Sequence, residues 1–184
     1  RSDVAVLQDT GGTTGVAKGA MLTHGNLVAN LLQMKAVLTN FEMGKEVMIA
    51  PLPLYHIFAF TVCCLGMMEM GGHAILITNP RDLPAFVKEL AKWKFTSFAG
   101  LNTLFVALMN NEDFRKLDFS ALKTTAAGGM AMQHHAAEEW ERITGCRVSE
   151  GFGMTETSPV VTMNPPGYSQ IGTIGMPVPN TTVK

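Results

Sequence analysis

At 184 residues, 47% of them hydrophobic, the chain is long enough for one domain with a substantial core and too apolar to be disordered. Its 14 basic and 15 acidic side chains nearly cancel, which argues against nucleic acid as a partner, so any anion site must be local. The three cysteines, Cys63, Cys64 and Cys146, offer neither a disulfide framework nor a metal-type spacing, and point to reduced thiols in a cytoplasmic compartment.

The opening RSDVAV lacks the charged-then-apolar pattern of a targeting segment, so no signal peptide is expected. Val4 to Leu7 reads as a short apolar strand. Thr10 to Gly19, TGGTTGVAKG, then gathers four glycines, three threonines and one lysine. Glycine lets the backbone approach a ligand, threonine supplies hydroxyls and Lys18 a mobile cation, which together make the chemistry of a phosphate cradle. A Walker loop is excluded, because Lys18 is followed by Gly19 and Ala20 where that motif needs Ser or Thr. A plain surface turn is the bland alternative. Position favours the anion reading, since Thr23 is placed to cap a helix through Leu38 with Leu27, Leu31, Met34 and Leu38 on its apolar face. That helix would bring its positive N-terminal end close behind the loop. His24 at this end serves equally as a solvent-exposed, a capping or a ligand-contacting residue.

Val47 to Ala50 is a strand ended by Pro51-Leu52-Pro53, and Leu54-Tyr55-His56 leads into the apolar run Ile57 to Met68. About 12 residues fall short of the ~20 that cross a bilayer, so this run is a buried helix, either plain core or the wall of an apolar pocket. Met70-Gly71-Gly72 stops it. Strand Ala74 to Ile77, a helix from Asn79 to Leu90, strand Phe95 to Ala99, a helix from Asn102 to Met109 and a polar connection from Asn110 to Ser120 follow. Strands alternating with helices predict an α/β fold with a mainly parallel sheet flanked by helices. Thr124 to Gly129 is a small-residue strand end. Met132 to Ile143 is a helix on which His134/Glu138 and His135/Glu139 stand at i, i+4; a solvated face is favoured over metal ligation. Glu150 to Glu156, EGFGMTE, combines a ring, glycines, a hydroxyl and a carboxylate in one turn. Beyond it the chain is rich in proline and glycine, and Gly175 to Lys184 reads as the beginning of another unit.

Four blocks, TGGTTGVAKGAMLTH, PLPLYHIFAF, LITNPRD and EGFGMTE, stand in the order in which they occur in the AMP-forming acyl-adenylate ligases, and they resemble the bacterial long-chain fatty-acid CoA ligases within that superfamily. The resemblance implies that the chain, residues 1–184, is the central portion of the N-terminal AMP-binding domain of such a ligase, without its C-terminal lid domain and incompetent alone. It implies that the parent uses ATP, Mg2+ and coenzyme A to turn a fatty acid into acyl-adenylate and then acyl-CoA. Thr10, Gly11, Gly12, Thr13, Thr14, Gly15, Lys18 and Gly19 are then the ATP phosphate loop. Ala127, Gly128, Gly129, Gly151, Phe152, Gly153, Met154 and Thr155 line the adenine and AMP site. Glu156, with Thr155, takes the magnesium, and Lys18, Thr155 and Glu156 carry the catalytic roles. His56, Phe60 and Met130 fall beside the acyl site. Other adenylate formers acting on aryl or amino acids, and a non-catalytic nucleotide-binding module, are the alternatives. A peripheral contact with the inner membrane suits the substrate but has no support in the charge pattern. Asp9 stands where the family usually has an aromatic residue, Phe152 replaces the commoner tyrosine, and Ala127 and Ala131 replace the usual glycine and proline.

Overall fold

The computed structural model describes residues 1–10 and 18–184. Strands β1 (Val4–Thr10) and β2 (Lys18–Thr23) pair antiparallel as a separate two-stranded sheet. Alternation in β2 sends Ala20 and Leu22 inward against Leu27 and Ile57 and leaves Met21 outward, while an irregularity between Val4 and Val6 lets both Ala5 and Val6 join the same cluster and Leu7 stays exposed. The glycine-threonine run is therefore flanked by two antiparallel strands, which corrects the expectation that it leads from a strand directly into a helix.

Helix α1 (His24–Val37) starts at the opposite end of β2. Thr23 caps it: its hydroxyl accepts from the Asn26 amide at 3.1 Å while the Asn26 side chain accepts from the Thr23 amide at 3.0 Å. The His24 and Gly25 amides donate to the carbonyls of Asp3 and Arg1. Lys18 and Thr23 stand at the two ends of β2, roughly 17 Å apart at extended-chain spacing. The first amides of the helix are thus taken by the carbonyls of Asp3 and Arg1 and stand a strand's length from Lys18, where the sequence led to the expectation of a close approach.

The main sheet has seven strands in the order β4-β3-β5-β6-β7-β8-β9. The strands are β3 (Val47–Ala50), β4 (His73–Leu76), β5 (Ser97–Gly100), β6 (Thr124–Ala127), β7 (Val148–Gly153), β8 (Val160–Met163) and β9 (Met176–Pro177). Neighbours from β4 through β7 run parallel, whereas β8 and β9 join antiparallel, so the α/β class with a mainly parallel sheet is observed. The pleat divides the core. Ile49 and Phe98 face α3 (Leu83–Leu90), α4 (Asn102–Met109) and α5 (His134–Thr144), within a cluster containing Phe86, Phe105, Phe114 and Trp140. Met48, Ala50 and Ala99 face the other way, onto Ala59, Cys63 and Met67. Trp140 meets Phe105 at 4.6 Å between ring centroids, and its indole N–H donates to Thr125 Oγ1 at 3.0 Å, which fixes α5 over β6.

Helical winding does run through the apolar segment after His56, but Ala59–Leu65 is wound as π-helix before α2 (Gly66–Met70). The helix expected from Asn79 begins only at Leu83, because Asp82 takes the cap and accepts from the Ala85 amide at 3.1 Å. The start of the tail, expected to open another unit, joins this sheet: β9 pairs with β8 and Val178 is buried. No helix among the described residues is long and apolar enough to cross a membrane.

Candidate functional site

In open α/β sheets ligands lie beyond the carboxyl ends of parallel strands, where neighbouring connections part. Here that place is the gap beyond β6 and β7. Ala127 and Glu150 are partners on the parallel ladder, after which one chain continues as Gly128-Gly129 and the other turns to pair with β8. Glycine is required at position 153 and fits closely at position 128. A side chain at Gly153 would meet the Pro159 carbonyl at 2.4 Å, and one at Gly128 would press on the Phe58 ring at 3.3 Å.

A cavity of about 290 Å³ opens in this gap. Its mouth is formed by Ala127, Gly128, Gly129, Gly151, Phe152, Gly153, Met154 and Thr155, with His56 beside them. Its interior is walled by Met34, Leu38, Phe41, Met48, Phe58 and Val62. Behind five of these, Met34, Leu38, Phe41, Met48 and Val62, lies a smaller apolar void of about 30 Å³ that reaches Gly66 and Met70. Phe152 is 43% exposed at the mouth and offers a ring for stacking. His56 Nδ1 accepts from the Phe58 amide at 3.2 Å, so a neutral imidazole carries its proton on Nε2.

The hairpin meets this mouth. Both β1 and β2 pack against the 3-10 turn Thr155–Thr157, and Thr10 and Lys18, partners on the hairpin ladder, are joined by a bond from Thr10 Oγ1 to the Lys18 carbonyl at 2.9 Å. Lys18 and Gly19 are exposed, as is Glu156, whose carboxylate has no ion-pair partner among the described residues. Gly11, Gly12, Thr13, Thr14 and Gly15 lie outside the described residues.

Two of the residues expected beside the acyl site, Phe60 and Met130, are not part of the lining of this cavity. Phe60 packs with Leu22, Leu27 and Ile57 under the hairpin, because the winding of the helix turns Phe58 and Val62, not Phe60, toward the cavity. Met130 is half exposed and outside the lining. Phe58 was legible in the sequence as a candidate pocket wall, whereas Val62, Phe41 and Glu150 were overlooked. The signal for Val62 was its i, i+4 spacing from Phe58; Phe41 and Glu150 carried none that local pattern reveals.

The His134 and Glu138 side chains form an exposed pair at 3.4 Å, and Glu139 is engaged by Arg142 and Arg115, which hold its carboxyl down to about 2. This is a solvated charge network. Among the described residues no group of three or more His, Cys, Asp and Glu is disposed to hold a metal ion. The cysteines are free, and burial pushes the Cys63 thiol up to about 12.

The family profile of AMP-binding enzymes matches residues 1–184. A long-chain-fatty-acid–CoA ligase of Haemophilus influenzae is 54% identical over 188 residues, covering 100% of this chain and 34% of that protein. Among solved structures, a long-chain-fatty-acid-CoA ligase from Archaeoglobus fulgidus superposes with a TM-score of 0.80 at 30% identity, over 96% of this chain and 37% of that one. ATP-bound MatB from Rhodopseudomonas palustris gives a TM-score of 0.80 at 27% identity, over 96% and 34% of the two chains. The chain spans about a third of the length of the curated relatives it matches.

Proposed function

The chain belongs to the AMP-binding enzyme family, and from that membership we propose that it is the central part of the N-terminal domain of a long-chain fatty-acid CoA ligase. The observation that carries the reading is a single cavity with two characters. Its mouth offers peptide backbone and the Phe152 ring, which suit a purine; its interior offers Met34, Leu38, Phe41 and Val62, which suit an alkyl chain. A fatty acid seated with its tail inward presents its carboxylate at the mouth, beside the hairpin that ends in Thr10 and Lys18.

The reaction then follows. A carboxylate oxygen attacks the α-phosphorus of ATP, the bond to the β-phosphate oxygen breaks and pyrophosphate leaves. In the second half the thiol of coenzyme A loses its proton, its sulfur attacks the acyl carbon, and AMP departs. Charge builds on phosphate oxygens in the first half. Lys18, with Thr10, Thr13 and Thr14 and the amides of Gly11, Gly12, Gly15 and Gly19, is proposed to hold the departing pyrophosphate. Thr155 is proposed to contact the α-phosphate. Magnesium fits the donors at this turn, an exposed Glu156 carboxylate next to a Thr155 hydroxyl, and when bound it neutralises phosphate charge. The C-terminal lid, the coenzyme A contacts, a cytoplasmic location and a peripheral membrane contact belong to the proposal for the whole enzyme.

Acid-dependent ATP–pyrophosphate exchange in the full-length enzyme tests the reading. Exchange with oleate is the expected result. Exchange with aromatic or amino acids alone would overturn the substrate class, and ATP binding without exchange for any acid would reduce the site to a nucleotide-binding module. Robust acyl-CoA formation by the 184-residue chain alone would overturn its assignment as part of a larger domain.

A further inference from the structure

Beyond the ladder pair Ala127–Glu150, nothing in the sheet fixes how far apart the two walls of the mouth stand. From Gly128 onward the first wall makes one long backbone bond, from the Gly128 amide to the Gly100 carbonyl at 3.4 Å. It is then caught by two side chains. The Gln133 amide donates to Asn102 Oδ1 at 3.0 Å, and the Met132 amide donates to Glu150 Oε2 at 2.9 Å. The other carboxylate oxygen of Glu150 accepts from the Gly172 amide at 2.8 Å, in the loop leading to β9. The Glu150 carbonyl meanwhile accepts from the backbone and side-chain amides of Asn164, at 3.1 and 3.0 Å, and Asn164 lines the cavity. Glu150 is only 8% exposed and has no ion-pair partner among the described residues. A carboxylate buried without a cation carries a desolvation penalty, which its charge-assisted bonds to two backbone amides offset.

We infer that Glu150 is a positioning residue for the nucleotide: its carboxylate ties the Gly128–Met132 wall to the loop before β9 and so sets the width of the slot. This rests on the proposed function, in which that slot takes the adenine. The residue does not touch the reacting atoms. It acts through backbone that does touch the nucleotide, so its loss is felt by ATP and not by the acyl chain, which lies deeper against Met34 and Val62.

The test compares two buried carboxylates at opposite ends of the sheet. Glu150→Gln preserves shape but offers one acceptor oxygen, and its amide group confronts the second backbone N–H. A bond to a charged group lost in this way corresponds to about a tenfold change or more. The expected result in the full-length enzyme is an ATP KM raised about tenfold, with the fatty-acid KM unchanged. Glu46→Gln, at the amino ends of the strands, should lower Tm and leave both KM values alone. An unchanged ATP KM in Glu150→Gln, or an equal rise in both KM values, overturns the inference. If the unmodified enzyme shows no acid-dependent exchange, the proposed function falls instead. The inference is then decided by direct ATP titration, where about tenfold weaker binding by Glu150→Gln supports it and equal binding overturns it.

Discussion

Glu46 and Lys123 meet at 2.8 Å at the amino ends of β3 and β6, with the Glu46 side chain fully buried and that of Lys123 29% exposed. The same carboxylate accepts from the Glu42 amide and from the Thr96 hydroxyl, each at 2.6 Å. It thereby ties together the starts of three parallel strands, β3, β5 and β6. Replacing Lys123 by Ala leaves this carboxylate buried and without its cation, which typically destabilises by about 3 kcal/mol or more. Urea unfolding should show that loss. Direct ATP titration should show none, because the pair lies at the end of the sheet opposite the mouth; a weakened ATP affinity at full occupancy of the folded state would contradict this division.

Gly153 is the tightest point of the mouth. A methyl group there would sit 2.4 Å from the Pro159 carbonyl carbon's oxygen, and backbone cannot rotate away as a side chain can. Gly153→Ala should therefore displace β8 from β7 and raise the ATP KM by about an order of magnitude or more, as expected when a positioned group moves by ~1 Å. Gly145→Ala provides the contrast. Gly145 has φ 72° with open space around it, so its substitution should cost about 1 kcal/mol of backbone strain without changing the ATP KM. Similar KM values for Gly153→Ala and the unmodified enzyme would remove the steric argument.

Much of the fold was legible because its signals are local. Thr23 announced a capped helix, the short apolar runs at Val47 and Ala74 announced buried parallel strands, and Pro51 and Gly71 punctuated them. What escaped depends on partners far along the chain. Lys18 and Gly19 read as the end of the loop and Ala20 to Leu22 as no element, and only pairing with β1 makes the alternation of Ala20, Met21 and Leu22 meaningful. The winding after Phe58 turned Phe60 to the hairpin and Val62 to the cavity, a choice that an apolar run on every side does not encode. The cluster from Glu150 to Glu156 was visible as a motif, but Glu150 carried no role of its own within it, because its carboxylate bonds to Met132 and Gly172, which lie far along the chain.

Cys63 predicts a pH dependence. Burial, and to a lesser degree the neighbouring Cys64, lifts its thiol from 9.0 to about 12 in the folded chain. The folded state therefore keeps a proton that the unfolded state releases above pH 9, and fewer protons bound to the unfolded chain mean that stability falls as pH rises. The contribution is fully present below about pH 9 and lost progressively toward pH 12, at up to about 1.4 kcal/mol per pH unit. Lysine and tyrosine titrate in the same range, so the measurement is the difference between the unmodified protein and Cys63→Ala in urea unfolding at pH 8, 9.5 and 10.5. The cavity left by the smaller side chain should cost the alanine variant stability at pH 8. Its disadvantage should then shrink as pH rises; a constant difference would show that the thiol does not titrate with unfolding.

Val62 offers the sharpest test of what the cavity holds. It stands between the larger space and the small void of about 30 Å³ behind it, together with two methionines whose unbranched chains can yield to a ligand. If an alkyl tail runs from the mouth past this point, the methylenes that reach Val62 each contribute about 0.8 kcal/mol, or roughly fourfold in affinity. Val62→Trp fills the space at that depth. Octanoate, with the shorter tail and fewer methylenes to place at that depth, should keep its kcat/KM within about threefold, whereas oleate should lose at least about tenfold, the scale on which an apolar pocket discriminates by size. Equal losses for both acids would mean that the substitution disturbs the mouth or the fold. An unchanged oleate rate would mean that the tail takes another route out of the slot, and the apolar interior behind Phe58 would then be core and nothing more.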